Sequence, residues 1–336
     1  MRVWQIPSFG IDSLEFVEHP TIAPGLGEVL VRVRAVSFNY RDLLVVQGSY
    51  NPKMKLPRIP CSDGAGEVVA VGDGVSSLRP GGRVAAIFMQ NWLEGPIDRA
   101  KSRGALGGDI DGMLSEYVVL KETGLIRIPE HLSFQEAATL PCAAVTAWNA
   151  LRSAKLQPGA TVLIQGTGGV SIFALQLARL SGARVLGISS SDTKLERAHS
   201  LGLDEGLNYK DNPEWDKWAL DLTDGMGVDL VVEVGGLQTL PRSLKAVRMG
   251  GTVAQIGVLS GSGDPVPFPL GAILHKCVHI QGIYVGSRKD FEDLNRAISL
   301  VGLRPVGENF HWSQAREVLM RMEEGSHFGK LVVTIE

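Results

Sequence analysis

Three glycines within six residues, Gly166-Thr167-Gly168-Gly169-Val170-Ser171, are the strongest chemical signal in the chain. Gly166 lets the backbone turn sharply out of a strand. Gly168 has no side chain, so the backbone can approach a bulky anion. A helix opening near Gly169 points unpaired N–H groups and the positive end of its dipole at that anion. Thr167 and Val170 belong to the same cradle. The chemistry this suits is phosphate or pyrophosphate binding, with Ser171 standing where a third glycine is usual. The alternative is a glycine turn that serves only close helix–strand packing.

Whatever the turn binds must be positioned by the elements around it. Thr161–Gln165 is an apolar run of the kind a buried parallel strand shows. Val170, Phe173, Ala174 and Leu177 mark one helix face, with Arg179 opposite. Arg184–Ile188 is a second apolar strand, so the stretch reads as a βαβ unit. A dinucleotide is the ligand such a unit takes, and the end of its second strand selects which one. An acidic residue there suits the ribose hydroxyl of NAD. This chain has Ser189, Ser190 and Ser191, then Lys194 and Arg197. Hydroxyls and cations suit a 2′-phosphate, so NADP(H) is expected over NAD(H). Asp192 is assigned to the N-cap of the next helix, and a solvated helix face is the plain alternative for Lys194 and Arg197.

At 336 residues there is room for two domains, and a net charge of −3 carries no block of like charge. Nothing points to nucleic acid or an anionic membrane surface. The 3 cysteines, Cys61, Cys142 and Cys277, make no disulfide framework, which suits a reducing cytoplasm. The first ten residues lack an apolar signal core. Leu156 to Ala178 is uncharged and long enough to span a bilayer, but Pro158 and the glycine turn break it. It is expected to be a loop, a buried strand and a helix.

Residues 1–130 lean to strands. Val29, Val31, Val33 and Ala35 alternate with Arg32 and Arg34 over Glu28–Val36. Further strands are expected at Glu67–Val71, Arg83–Phe88, Ser115–Leu120 and Leu125–Ile128, with a short helix from Tyr40 to Gln47. Ser133-Phe134-Gln135-Glu136 is a capping box, and a helix from Ala143 to Ala154 leads into the glycine turn. Then follow helix 192–201, strand 206–209, helix 213–223, strand 228–234, helix 237–248 ended by Gly250-Gly251, and strands 252–257 and 278–284. Such alternation implies a doubly wound parallel sheet. Ser313 is expected to cap a helix running to Glu324. Leu331–Ile335 is expected to return to the first domain. The fold class is therefore α/β.

The order of these parts is similar to the medium-chain dehydrogenase/reductase superfamily. The resemblance rests on Asn39-Tyr40-Arg41-Asp42, Pro60–Gly72, Ala138–Leu151, Gln165–Ser171 and Gly329-Lys330-Leu331-Val332, and covers nearly the whole chain. It is nearest the zinc-free, quinone-oxidoreductase-like branch, although many similar sequences carry an alcohol dehydrogenase label. It implies a β-rich, GroES-like catalytic domain over 1–142, completed by 285–336, and a Rossmann domain over 143–284. A homodimer through the edge of the nucleotide-binding sheet is implied as well.

In zinc-dependent members a cysteine, a G-H-E run and a second cysteine hold the metal. The matching positions here are Asn39, Cys61-Ser62-Asp63 and Cys142. One matching thiol does not make a zinc site, and the region of the structural-zinc lobe, 91–111, has no cysteine. No metal is expected. Without a Lewis acid, hydride addition to a quinone or an α,β-unsaturated carbonyl is easier than alcohol oxidation. Such a site needs hydrogen-bond donors near the acceptor carbonyl, and the candidates are Asn39, Tyr40 and Tyr50. The resemblance places Asn39, Tyr50, Cys142 and Thr146 near the nicotinamide or the substrate. It places Gly257, Val258, Leu259, Gly282, Ile283 and Tyr284 at strand ends near the nicotinamide, Tyr209 near the 2′-phosphate, and Lys330 near the cofactor phosphates. A zinc-free alcohol or aldehyde dehydrogenase, and a non-catalytic NADP-binding protein of the kind found in the lens, are the other readings.

Overall fold

The computed structural model describes residues 1–258 and 268–336. It divides into two compact units, Met1–Val145 with Val285–Glu336, and Thr146–Tyr284. The fold is α/β, a parallel sheet plus a GroES-like domain.

The first unit is built on Glu28–Phe38, an 11-residue strand. Its alternation holds: Val29, Val31, Val33 and Ala35 are all buried. The strand runs two residues past the expected end because Val36 and Phe38 are buried too. It pairs antiparallel with Asp63–Val71, Tyr117–Lys121 and the last strand, Lys330–Thr334. The C-terminus therefore returns to this unit, as expected. Gly307–His311 adds to the last strand in parallel. Ser133 caps helix Phe134–Ala138 in the expected box, accepting from the Glu136 N–H at 3.2 Å.

Several elements escaped the sequence reading. Arg2–Gln5 and Glu15–Glu18 form a two-stranded sheet. Arg288–Val301 is a helix whose buried residues Phe291, Leu294, Asn295 and Ile298 follow helical spacing, opened by a Ser287–Asp290 capping box. That spacing and box are visible in the sequence. Before the final helix, His311 and not Ser313 is the capping residue of a 3₁₀ turn, Trp312–Gln314, and the α-helix proper is Ala315–Glu323. The expected helix from Ala143 starts instead at Val145, after a π-turn over Leu140–Ala144 that contains Pro141.

The second unit carries six parallel strands. Numbered by their order within the unit, they lie 3-2-1-4-5-6 across the sheet. That is the order of a dinucleotide-binding Rossmann sheet, whose strand order reverses beside the first strand. Here the first strand is Thr161–Gln165, between Arg184–Ser189 and Val228–Glu233. Helix Gly169–Leu180 buries Ile172, Phe173, Leu175 and Leu177. Each such side chain contributes roughly 1.5–3 kcal/mol of apolar burial. Because Ile172 and Leu175 are buried as well, the apolar face is broader than the single stripe expected, and Val170 is only half-buried.

Residues 237–248 are not one helix. The helix is Leu240–Ala246, and the chain passes directly into strand Val247–Gln255. Gly250-Gly251 lies within that strand, where its register against Val228–Glu233 shifts. Gly250 has φ +66°, a conformation glycine adopts without strain. The pair thus makes a bulge rather than a helix stop. Among the described residues no helix is long and apolar enough to cross a membrane.

Candidate functional site

In the second unit the glycine turn has the geometry its residues imply. Gly166 sits at φ +69°, and its N–H donates to the Ile188 carbonyl at 2.7 Å, tying the turn to the second strand. Gly168 is the N-cap of helix Gly169–Leu180, with no side chain capping that end. Its φ of −76° and ψ of −179° are open to any residue. Among the described residues, apart from its chain neighbours and its own helix backbone, a methyl group added at Gly168 would meet no atom within 4 Å. Packing therefore does not require glycine at 168. Ser171, in place of the third glycine, is buried and donates its hydroxyl to the Gln165 carbonyl at 2.6 Å. The departure from the usual pattern thus fastens the helix to the strand end.

Beneath the turn lies a buried network that the sequence reading did not find. Glu233, closing the fourth strand, is fully buried. Its carboxylate accepts from Gln165 Nε2 at 2.8 Å, Gly236 N at 2.9 Å, Thr239 Oγ1 at 2.6 Å and the Ser243 hydroxyl. Gln165 Oε1 accepts from the N–H groups of Val234 and Gly235 at 3.3 and 3.2 Å. The two strand ends flanking the crevice position are thereby joined. A polar residue ending each of two neighbouring apolar strands was the available signal.

At the selector, Ser189 is buried and its hydroxyl accepts from the Ser191 N–H at 3.3 Å. Ser191, not Asp192, caps helix Asp192–Ser200, accepting from the Lys194 N–H at 3.4 Å. Asp192 is the first helical residue, and its carboxylate accepts from Asn208 Nδ2 at 3.2 Å. Tyr209 is exposed, and its N–H donates to the Ser189 carbonyl at 2.9 Å. Ser189, Ser190 and Tyr209 thus converge at the ends of the second and third strands. Gly257 and Val258 follow the fifth strand, with Val258 exposed, and Gly282, Ile283 and Tyr284 close the sixth. Thr146 is buried in helix Val145–Ser153. Leu259 lies outside the described residues.

The first unit holds a buried polar cluster. Asn39 ends the central strand and caps helix Tyr40–Val46, where its backbone N–H donates to Asp42 Oδ2 at 2.9 Å. Asn39 Nδ2 lies 3.5 Å from Ser62 Oγ, which donates to Asp63 Oδ1 at 2.7 Å. The other Asp63 oxygen accepts from the Cys142 N–H at 3.0 Å. Lys330 Nζ donates to the Phe38 carbonyl at 2.6 Å and to Asn39 Oδ1. Arg41 donates to Asp42 Oδ1 at 3.0 Å and lies over the Tyr50 ring at 4.8 Å. Two carboxylates, Asp42 and Asp63, thus share the cluster with two cations, Arg41 and Lys330, as buried charges require.

Burial raises the Asp63 carboxyl above the usual carboxylate range, with the Lys330 ammonium and the Ser62 hydroxyl pulling it part of the way back. Burial, reinforced by Asp63, drives the Cys142 thiol well up, so it stays protonated and is no nucleophile. Of the three candidate donors, the cluster includes Asn39 directly and Tyr50 through Arg41 and Asp42. Tyr40 is exposed on the first turn of its helix. Lys330, expected near cofactor phosphates, instead has its ammonium on Asn39.

The donor set does not fit zinc. At the positions matching zinc ligands stand an amide whose oxygen faces an ammonium, a hydroxyl engaged with Asp63, and a single thiol, Cys142. Zinc takes three protein ligands even at a catalytic site, with thiolate in place of thiol. Among the described residues no group of three or more His, Cys, Asp or Glu could hold a metal.

Comparison with known proteins agrees with this architecture. Residues 25–130 match the alcohol dehydrogenase GroES-like domain, and residues 169–300 match the zinc-binding dehydrogenase family. A zinc-type alcohol dehydrogenase-like protein of Schizosaccharomyces pombe is 42% identical over 92% of this chain and 91% of its own. Acryloyl-coenzyme A reductase of Metallosphaera sedula is 31% identical over 93% of each. A solved NAD-dependent alcohol dehydrogenase superposes with a TM-score of 0.91 at 33% identity, covering 100% of both chains. The chain belongs to the medium-chain dehydrogenase/reductase superfamily and is an oxidoreductase of it.

Proposed function

We propose that the protein is an NADPH-dependent reductase of quinones or α,β-unsaturated carbonyl compounds that works without a metal. The observation carrying this reading is the Asn39–Ser62–Asp63–Lys330 cluster, which puts amide, hydroxyl and ammonium donors where zinc-dependent relatives need ligands. The second unit would hold the dinucleotide by the Gly166–Val170 turn and the Ser189, Ser190, Lys194 and Tyr209 selector. The coenzyme supplies the hydride. The chain's own residues orient the acceptor: Asn39 and Tyr50 are the donors toward a carbonyl oxygen, stabilising the charge that develops there. Cys142 shapes the site without forming a covalent bond.

A homodimer is part of this proposal. The edge strand His279–Gly282 is exposed along its length, and Ile280 and the nearby helix residues Leu270 and Leu274 are exposed apolar groups. A cytoplasmic location is supported by three free cysteines.

The test is NADPH oxidation by metal-stripped protein against a quinone and enone panel, with both dinucleotides titrated. Turnover unaffected by chelator, with tighter NADPH than NADH, is expected. Absence of turnover on both substrate classes rejects the reading. The 42% identical zinc-type relative favours alcohol oxidation as the second reading; chelator-resistant oxidation of simple alcohols would select it.

A further inference from the structure

We propose that Lys330 is the positioning residue for Asn39 and does not bind coenzyme phosphate. The inference rests on the reductase reading above, and it assigns Lys330 a role in the chemical step.

Lys330 is only 3% exposed. It opens the last strand, and that strand is pinned to the central strand by the pairing of Leu331 with Phe38 and by Ser37 Oγ donating to the Leu331 carbonyl at 3.3 Å. The ammonium has three donors. One goes to the Phe38 carbonyl at 2.6 Å and one to Asn39 Oδ1. The head is buried, and two of its three N–H groups are committed to the backbone and side chain of the neighbouring strand end.

That commitment decides which way the Asn39 amide faces. An ammonium only donates, so the atom it faces must be the carboxamide oxygen. Nδ2 is then the donor end, turned toward Ser62 Oγ at 3.5 Å and the Asp63 carboxyl. Because the hydrogen bond at the oxygen is charge-assisted, it draws electron density from the amide and makes Nδ2–H a stronger donor. A carbonyl oxygen that takes the place of the long Ser62 contact then meets a donor whose amide needs no flip. Asp42 fixes the same residue from the backbone side by accepting its N–H at 2.9 Å. Lys330 also offsets the buried carboxylates, lowering the Asp63 carboxyl against the effect of burial.

The experiment uses the full chain in four forms: Lys330→Met, Lys330→Arg, Asn39→Ala, and Lys330→Met with Asn39→Ala. Each is tested for kcat on an enone, for NADPH dissociation constant by fluorescence, and for melting temperature. Lys330→Met is expected to lower kcat roughly 10- to 100-fold with the NADPH constant within about twofold of wild type. The double variant should be no slower than Asn39→Ala alone, because residues acting as one unit are not additive. Lys330→Arg should lose kcat as well, since a guanidinium fork cannot repeat the ammonium's geometry. A phosphate ligand predicts the reverse: weaker NADPH binding in Lys330→Met, and retained rate and affinity in Lys330→Arg, since arginine binds phosphate well. That outcome overturns the proposal, as do multiplicative effects in the double variant. Loss of fold in both lysine variants while Asn39→Ala folds normally also overturns it, by making Lys330 a structural residue of the strand. If wild type turns over no carbonyl substrate, the reductase reading fails separately. The side-chain amide signals of Asn39 in nitrogen-labelled protein then report whether Lys330→Met disturbs that amide.

Discussion

Gly168 separates a packing role from a ligand role. Its dihedral angles are open to alanine, and among the described residues an added methyl group meets no atom of a neighbouring element within 4 Å. Gly168→Ala is therefore expected to change unfolding free energy by less than about 0.5 kcal/mol. It should weaken dinucleotide binding roughly tenfold or more, since the methyl would intrude where the backbone must approach a pyrophosphate. Denaturant unfolding and a binding titration on the same sample check both halves. Asp63 makes a pH prediction. Its carboxyl is raised by burial above the value it has in the unfolded chain. The folded state therefore holds that proton more tightly, and the stabilisation is full below the ordinary carboxylate range and lost as pH rises through the raised value. In Asp63→Asn, the fall in stability as pH rises above the ordinary carboxylate pKa of about 4 should shrink. Unchanged slopes in denaturant melts across that range would contradict the assignment. The glycine turn was legible from sequence because its residues are contiguous and each glycine has a local reason. Asn39, Ser62, Asp63 and Cys142 are grouped by the family resemblance alone, and Lys330 is not placed with them, because strand pairing rather than spacing brings the cluster together. Lys330 in particular reads as an ordinary surface lysine until the last strand is placed.

Among the elements, the chain reads best where one periodicity governs. The alternation in Glu28–Phe38 and the run in Thr161–Gln165 are both observed as strands. It reads worst where a local exception overrides a general rule. Gly250-Gly251 has the look of a helix stop, but the pair lies inside a strand where register shifts. Helix Arg288–Val301 has regular spacing, but its buried face is only four residues, one of them the polar Asn295. The Glu233 network belongs to this scale, since one carboxylate ties the ends of two strands to the helix that follows. Glu233→Gln would set an amide N–H₂ against at least one of the four donors that carboxylate now accepts. A loss of about 1–3 kcal/mol is expected. Dinucleotide affinity should fall as well, because Gln165 leads directly into Gly166. Urea unfolding measures the first effect and coenzyme titration the second.

For the whole molecule, the exposed edge of the six-stranded sheet is the feature that asks for a partner. An unpaired edge strand flanked by apolar side chains is a liability in isolation, and pairing with a second copy of the chain removes it. Ile280→Lys places a charge on that edge and is expected to shift the protein toward monomer by light scattering, with melting temperature of the monomer little changed. A wild-type protein that is monomeric at micromolar concentration would reject the dimer. The βα alternation of the second unit is visible in the sequence, because its apolar strands and helices succeed one another regularly. The two-stranded sheet of Arg2–Gln5 and Glu15–Glu18 was not, since each strand has only four residues and Glu15–Glu18 buries neither face fully.

The pairing of Lys330–Thr334 with Glu28–Phe38 has a consequence for how the chain is made. Thr146–Tyr284 is one continuous stretch and can settle as soon as it leaves the ribosome. The earlier-synthesised unit has to wait with the Ala35–Phe38 end of its central strand unpaired on one side until Lys330–Thr334 emerges, since Tyr117–Lys121 covers only Glu28–Arg32 there. That exposed side is apolar and available to wrong partners for most of translation. The lysine that faces Asn39 arrives with the same closing segment, so the polar cluster is completed only when that strand pairs.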